Sequence, residues 1–464
     1  MLITSDEHRK RSIFLIAVVL TAFSLLVTAC GGGRSSTSDN GTETSKATSS
    51  TDFGTMATPC GTGDAEGATQ QGVTDTSITI GYGDDAGYTA SPGLNKEMSD
   101  AIKAMMKWCN DQGGINGRQI VGKYYDAAIT NVNNVTLEAC SQVFMLVGQG
   151  WAFDSAQEAT RVGCQLASVP TYSVSPQFSN GPMMVQPSPN PADFANVSAA
   201  AQIAEKFPTK VKKAVTMYGD YSATIDLAEK AVAAYSQVGW EFLDCSQKYN
   251  IGGEAVWAPM LQRLKDCGAE VVYFSGSPAP HFENVLDAAK AIGFSPIWMQ
   301  ESNFYDTAFA NWNKNGNADN VYVQLTYYPF DQAERVPATA KYLEIVKANG
   351  GSTSLSGAQA TAAFLLWAQG AKTCGSTLTS QCVIDNLKKV NNYDAGGLQS
   401  PTDPGGNKPG DCSMVVKLSG TKFEQVLPTA IGTQACNPKY LVRLTGPIVD
   451  RAKLDANRIS QTGG

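Results

Sequence analysis

Only two histidines occur in the 464 residues, His8 and His281. Imidazole chemistry therefore rests on His281, because His8 precedes an N-terminal apolar run. A Ser-His-acid triad would have to use it, and the serine of YFSGSP (273–278) sits on a plain strand-to-helix turn. Asp84 and Asp85 in GYGDDAG (81–87) could act as an acid and a base, although adjacent acids on a loop are ordinarily solvated. The glycine spacing of that stretch, G-x-G-x-x-x-G, is a weak echo of a dinucleotide turn. No P-loop, HExxH or GxSxG pattern is present. No enzyme and no cofactor are expected from these residues. A metal centre is not expected either, because the eleven cysteines contain no CxxC and have almost no histidine beside them.

The cysteines carry a different message. Residues 12–30 read SIFLIAVVLTAFSLLVTAC after the basic stretch Arg9, Lys10 and Arg11, the layout of a secretory signal. Val27-Thr28-Ala29-Cys30 resembles a bacterial lipobox. Cleavage after residue 29 would leave Cys30 as the acylated end of an exported lipoprotein on the outer face of the cell membrane. The other reading of the apolar run is an uncleaved anchor at the lower limit of bilayer-spanning length. The remaining ten cysteines suit an oxidising compartment and five disulfides. Spacing suggests Cys60–Cys109, Cys140–Cys164, Cys245–Cys267, Cys374–Cys382 and Cys412–Cys436, with connectivity open on sequence alone. Without residues 1–29 the chain loses two of 42 acids and three of 35 bases, which gives a net charge of −8. That balance argues against nucleic acid as a partner.

Those side chains must be positioned by the elements around them. Residues 31–59 are rich in Gly, Ser and Thr and read as a flexible tether, with the folded part starting near residue 74. From there strand-like runs (77–83, 118–127, 145–150, 167–175) alternate with helical patterns (93–114, 133–142 and from Ser155). This rhythm calls for a parallel sheet with helices on both faces. A Pro-rich segment at 180–191 interrupts it. A second α/β unit follows, with strands at 213–219, 240–245, 270–276 and 296–300. Its helices are expected at 192–206, 223–237, 257–266 and 281–292. An extended stretch (320–330), three helices (337–348, 356–372, 380–390) and a closing hairpin (412–428) complete the pattern. Two doubly wound lobes joined by more than one crossing strand are expected: 74–187 with 325–405, and 188–324 with 406–430. A C-terminal tail would cover 431–464.

Within this frame, KWCNDQGGINGRQIVGKYYDA resembles the type I periplasmic-binding fold, and more closely the branched-chain amino-acid receptor family of ABC importers. The turn Gly113-Gly114-Ile115-Asn116-Gly117-Arg118 is the most specific match. Asp126, Val147-Gly148, Val169-Pro170, Tyr218-Gly219-Asp220-Tyr221 and YDAGGLQSPTDPGGN (393–407) add to it. The resemblance implies a monomeric receptor that closes two lobes on a small organic ligand and delivers it to an ABC permease. The alternatives are a sensing receptor without transport and a hydrolase.

In open α/β sheets ligands bind outside the carboxyl ends of the strands. The loops there hold Phe153, Ser222 and nine residues expected to bind ligand: Tyr88, Gly150, Trp151, Tyr172, Ser173, Ser175, Tyr221, His281 and Glu301. The family places an acid on the ligand's ammonium, and His281 stands at that position. An α-amino acid would then need Glu301, one loop later. The ligand is expected to be an amino acid or a related carboxylate or amide.

Overall fold

The computed structural model describes residues 51–452; Cys30 and the export signal lie outside the described residues. The first lobe starts with β1 (Ser77–Asp84), α1 (Lys96–Asn110), β2 (Gln119–Asp126) and α2 (Val132–Cys140). It continues with β3 (Met145–Val147), α3 (Ser155–Gly163), β4 (Ser168–Val169) and α4 (Pro176–Ser179). Its sheet runs β2-β1-β3-β4, parallel throughout. Parallel sheets need cover on both faces, and the near-continuous burial of β1 reflects it.

The second lobe opens with β5 (Phe194–Asn196), α5 (Ser198–Lys206), β6 (Ala214–Gly219) and α6 (Ser222–Tyr235). Then come β7 (Gln247–Tyr249), α7 (Ala258–Asp266), β8 (Val271–Ser275) and α8 (Glu283–Ala291). β9 (Ile297–Gln300), α9 (Thr307–Trp312) and β10 (Val321–Leu325) follow. The chain returns to the first lobe for α10 (Pro337–Ala348), α11 (Leu355–Cys374) and α12 (Ser380–Leu387). The hairpin β11 (Cys412–Ser419) and β12 (Lys422–Leu427) closes the second sheet, ordered β12-β11-β10-β9-β8-β6-β7. It is parallel from β7 to β10 and antiparallel at β11 and β12.

Three segments cross between the lobes, as a multi-strand hinge requires. They are stitched together: the Ser188 hydroxyl lies 2.8 Å from the Tyr327 hydroxyl, and the Gln399 amide donates to the Pro187 carbonyl at 2.8 Å. The Ser400 N–H donates to the Thr326 carbonyl at 2.7 Å.

Two expectations change. The strand expected at 240–245 forms later, as β7. The run 240–245 keeps only one parallel bridge, Phe242 to Ala214 at the start of β6, while Trp240 is buried with its indole N–H donating to the Ala200 carbonyl at 3.0 Å. The tether and anchor region expected through residue 73 is the other. Residues 51–73 pack on the first lobe: Phe53 is buried with its ring 6.1 Å from that of Trp108, and Cys60 is bonded to Cys109. The part of the expected tail that is described also packs, as β13 (Ala435–Cys436) on β11, β14 (Leu441–Arg443) on β5, and α13 (Pro447–Ala452).

All five sequential disulfides are present. The Cys140–Cys164 bridge joins the ends of α2 and α3, which lie side by side. Bridges of this kind typically contribute about 2–4 kcal/mol each.

The GYGDDAG glycines have a packing role. A Cβ on Gly83 would stand 1.9 Å from the Tyr125 carbonyl oxygen of β2, and one on Gly87 2.4 Å from the Asp126 carboxylate. Backbone cannot retract as a flexible side chain can. Gly83→Ala is expected to destabilise the fold by about 1–3 kcal/mol, read from urea unfolding. An unchanged midpoint would show that β1 and β2 separate without cost.

Candidate ligand cavity between the lobes

The loops after β1, β2, β3 and β4 are fixed by buried acids rather than left open to solvent. Asp85 accepts from the Ile129 and Ala152 N–H groups, each at 2.7 Å. Asp154 accepts from the Val174 N–H at 2.6 Å and the Ser175 N–H at 3.0 Å. Burial pushes both carboxyl groups up, Asp85 to about 6 and Asp154 to about 7. Asp84 accepts from the Tyr124 hydroxyl at 2.6 Å and the Ala86 N–H at 3.0 Å. The adjacent acids are thus loop staples, not an acid–base pair.

These staples place Tyr172 and Ser173 at the floor of a cavity of about 310 Å³. That volume is in the range of small-molecule sites. The first lobe lines it with Asn95, Tyr172, Ser173 and Gln359; the crossing segments add Ser188, Asn190 and Thr326. The second lobe contributes Tyr221, Leu227, Lys230, Glu301, Asn303 and Gln324. Asn95 donates to the Tyr172 hydroxyl at 3.1 Å, and Asn190 donates to the Ser173 carbonyl at 2.8 Å. Burial raises the Tyr172 phenol well above its ordinary value, so it faces the cavity as a neutral hydroxyl.

Four of the nine residues expected to bind ligand therefore line one cavity: Tyr172, Ser173, Tyr221 and Glu301. The other five lie outside its lining, each for a local reason. Gly150 leaves room for the Tyr172 ring, since a Cβ there would stand 2.5 Å from it. Trp151 is fully buried in a side cluster with Tyr125 and Val132. Ser175 caps α4, accepting from the Phe178 N–H at 3.3 Å. His281 is buried with Nε2 3.0 Å from the Ile251 carbonyl and its ring 6.0 Å from that of Trp257. Burial lowers its pKa, which keeps it neutral rather than acid-like.

Tyr88 lies outside the lining and bonds across to the second lobe. Its hydroxyl donates to the same Ile251 carbonyl at 3.3 Å, and Ser91 donates to the Ala279 carbonyl at 2.9 Å. Phe153 meets Tyr221 edge to face at 5.6 Å, so aromatic rings from both lobes touch beside the cavity.

Loop-by-loop reading missed the middle of α6. Ala223, Leu227, Lys230, Ala231 and Ala234 recur at helical spacing and all line the cavity. Lys230 Nζ donates to Asn190 Oδ1 at 2.5 Å and to the Pro191 carbonyl at 2.6 Å. Burial lowers its pKa to about 8, against the raising influence of Glu301. Glu301 accepts from the Tyr273 hydroxyl at 2.7 Å and from the Gln324 amide. The sequence signal was available: a lysine on the apolar face of an alanine-rich helix.

Among the described residues no group of His, Cys, Asp and Glu is arranged to hold a metal ion, and no helix is long and apolar enough to cross a membrane.

Comparison with known proteins agrees with this architecture. The profile of the periplasmic binding protein family matches residues 77–422. Comparison with curated proteins finds no significant match. Among solved structures, the branched-chain amino acid transporter substrate binding protein LivJ of Streptococcus pneumoniae, in complex with isoleucine, is 17% identical. The match covers 76% of this chain and 99% of that one with a TM-score of 0.61. A fatty acid ABC transporter substrate-binding protein from Thermomonospora curvata is 14% identical, covering 86% and 100% with a TM-score of 0.65. The leucine binding protein LivK of Thermotoga maritima is also 14% identical, covering 78% and 99% with a TM-score of 0.62. The profile match spans well over half of the sequence and the lobes, hinge and cavity fit it: the chain belongs to the periplasmic binding protein family.

Proposed function

We propose that the protein is an extracytoplasmic solute receptor, lipid-anchored at Cys30, that delivers a small organic ligand to an ABC importer. The ligand class is an amino acid or a related carboxylate or amide. The observation that carries this reading is one cavity lined by both lobes and by the segments that cross between them. A ligand touching all three stabilises the arrangement with the lobes together, and a permease can recognise that state. No bond is made or broken. The isoleucine complex of the Streptococcus pneumoniae relative and the fatty-acid description of the Thermomonospora curvata protein bracket the ligand classes to be screened. The lobes correspond to 74–187 with 325–405 and 188–324 with 406–430.

The test pairs thermal shift with small-angle scattering over leucine, isoleucine, valine, aromatic acids, amides and dodecanoate. At 100 times Kd a ligand adds about 2.7 kcal/mol, and the radius of gyration should fall as the lobes close. Stabilisation without contraction, or no response to any compound, sinks the receptor reading. Cys30→Ala should release the protein from the membrane fraction; retention there would remove the lipid anchor from the scheme.

A further inference from the structure

The chain beyond the closing hairpin is fastened first to the second lobe. Cys436 is bonded to Cys412 of β11, and β14 pairs antiparallel with β5. The Val197 N–H donates to the Tyr440 carbonyl at 2.8 Å, and the Leu444 N–H to the Asp193 carbonyl at 2.7 Å. These bonds fix the chain up to the residues just before α13. α13 then packs on α4, the helix that follows β4 of the first lobe, while also touching α6 of the second.

The seat of α13 has an apolar half and a charged half. Ile448 and Ala452 are buried with Ala192 of the first crossing segment. On the α6 side the Arg451 guanidinium donates to the Asp226 and Glu229 carboxylates, each at 2.6 Å, and Asp226 is buried. The same helix presents Leu227 and Lys230 to the cavity, so α13 grips a cavity wall from outside. At six residues, α13 is too short to be a stable helix by itself in water. It is helical because it is docked, and its docking surfaces belong to different lobes.

We infer that residues 435–452 form a strap across the hinge that holds the two lobes together before any ligand arrives. A swing that changes the spacing of α4 and α6 breaks one half of the seat, so the docked strap favours the arrangement in which both halves are made. Its consequence for a receptor is a larger closed fraction at rest, and apparent affinity rises with that fraction.

Hydrogen exchange read by mass spectrometry on the unliganded full chain in detergent tests the strap. The reporter is the Leu355 N–H at the start of α11 in the first lobe, which donates to the Tyr305 carbonyl of the second at 3.2 Å. A first-turn N–H has no acceptor within its own helix, so its protection depends on the lobes staying together. Arg451→Gln removes the charged half of the seat, and Ile448→Ser the apolar half. Each is expected to speed exchange at Leu355 by about tenfold or more, with the β1 and β6 amides at the parent's rates. Acceleration confined to α4, α13 and residues 187–192, or no acceleration anywhere, would overturn the strap. Equal acceleration of the β1 and β6 amides would overturn it as well, marking α13 as general packing. No ligand enters this experiment, so its failure leaves the receptor reading intact.

Discussion

Arg161→Met should lower stability by about 3–5 kcal/mol, the usual cost of removing one partner from a buried ion pair. The Arg161 side chain is fully buried and holds Glu158 at 2.9 Å. The same guanidinium donates to the Leu166 carbonyl at 3.0 Å and the Pro182 carbonyl at 2.7 Å. One side chain thus ties α3 to the chain entering β4 and to the first crossing segment. Methionine fills similar space but satisfies none of these oxygens, and it strips Glu158 of its cation. Guanidinium unfolding followed by tryptophan fluorescence reads the loss. Adding Glu158→Met should restore part of it, because removing both charges is far less costly than removing one. A single-variant loss below about 1 kcal/mol, the ordinary worth of an exposed pair, would show that the network carries no special weight.

The second large effect is on binding. Ala231→Phe should abolish the ligand response of the protein and cost the unliganded fold about 1–3 kcal/mol, the usual range for overpacking. Ala231 is buried on the α6 face that lines the cavity, beside the core cluster of Ala234, Tyr235 and Trp240. A phenyl ring there occupies space the ligand needs. For whichever panel compound stabilises the parent, hundredfold weaker binding reduces a 2.7 kcal/mol shift to about 0.4 kcal/mol. A full thermal shift in the variant would place the ligand away from Ala231. Collapse of the unliganded melting temperature would instead make Ala231 a packing residue.

The fold was legible because its signals are local and repeated. Alternating strand and helix patterns and the Gly113–Arg118 turn point to the same two-lobed answer, and an even number of cysteines, ten, fits local disulfides within it. The site was half legible. Tyr172, Ser173, Tyr221 and Glu301 follow from the rule that ligands gather at strand ends. Trp151, Ser175 and His281 occupy the same loops, yet their side chains turn inward to a core cluster, a helix cap and a carbonyl. Short loops have no periodicity, so nothing in their spacing records which way a side chain points. Lys230 was missed for the opposite reason: it lies halfway along a helix, where strand-end reasoning does not look. Residues 51–73 were misjudged from composition. Phe53 and Met56 are few, but both are buried, and a disulfide to α1 offsets the small apolar area.

That N-terminal segment is part of the first lobe. It is sewn to the first lobe by Cys60–Cys109, and Arg118 clamps it by donating to the Gly67 carbonyl at 3.0 Å and the Thr74 carbonyl at 2.9 Å. Thr55 bonds to Gly396, Gln70 to Ser380 and Gln71 to Val143, all in the first lobe. Whatever restrains the chain ahead of residue 51 therefore restrains the first lobe directly. In that reference frame the ligand-driven closure proposed above would be a swing of the second lobe about the three crossing segments, with the first lobe as the stator. A docking partner fixed in the same frame would sense the second lobe by its displacement and the first by its constancy, so one molecule supplies both the signal and its zero.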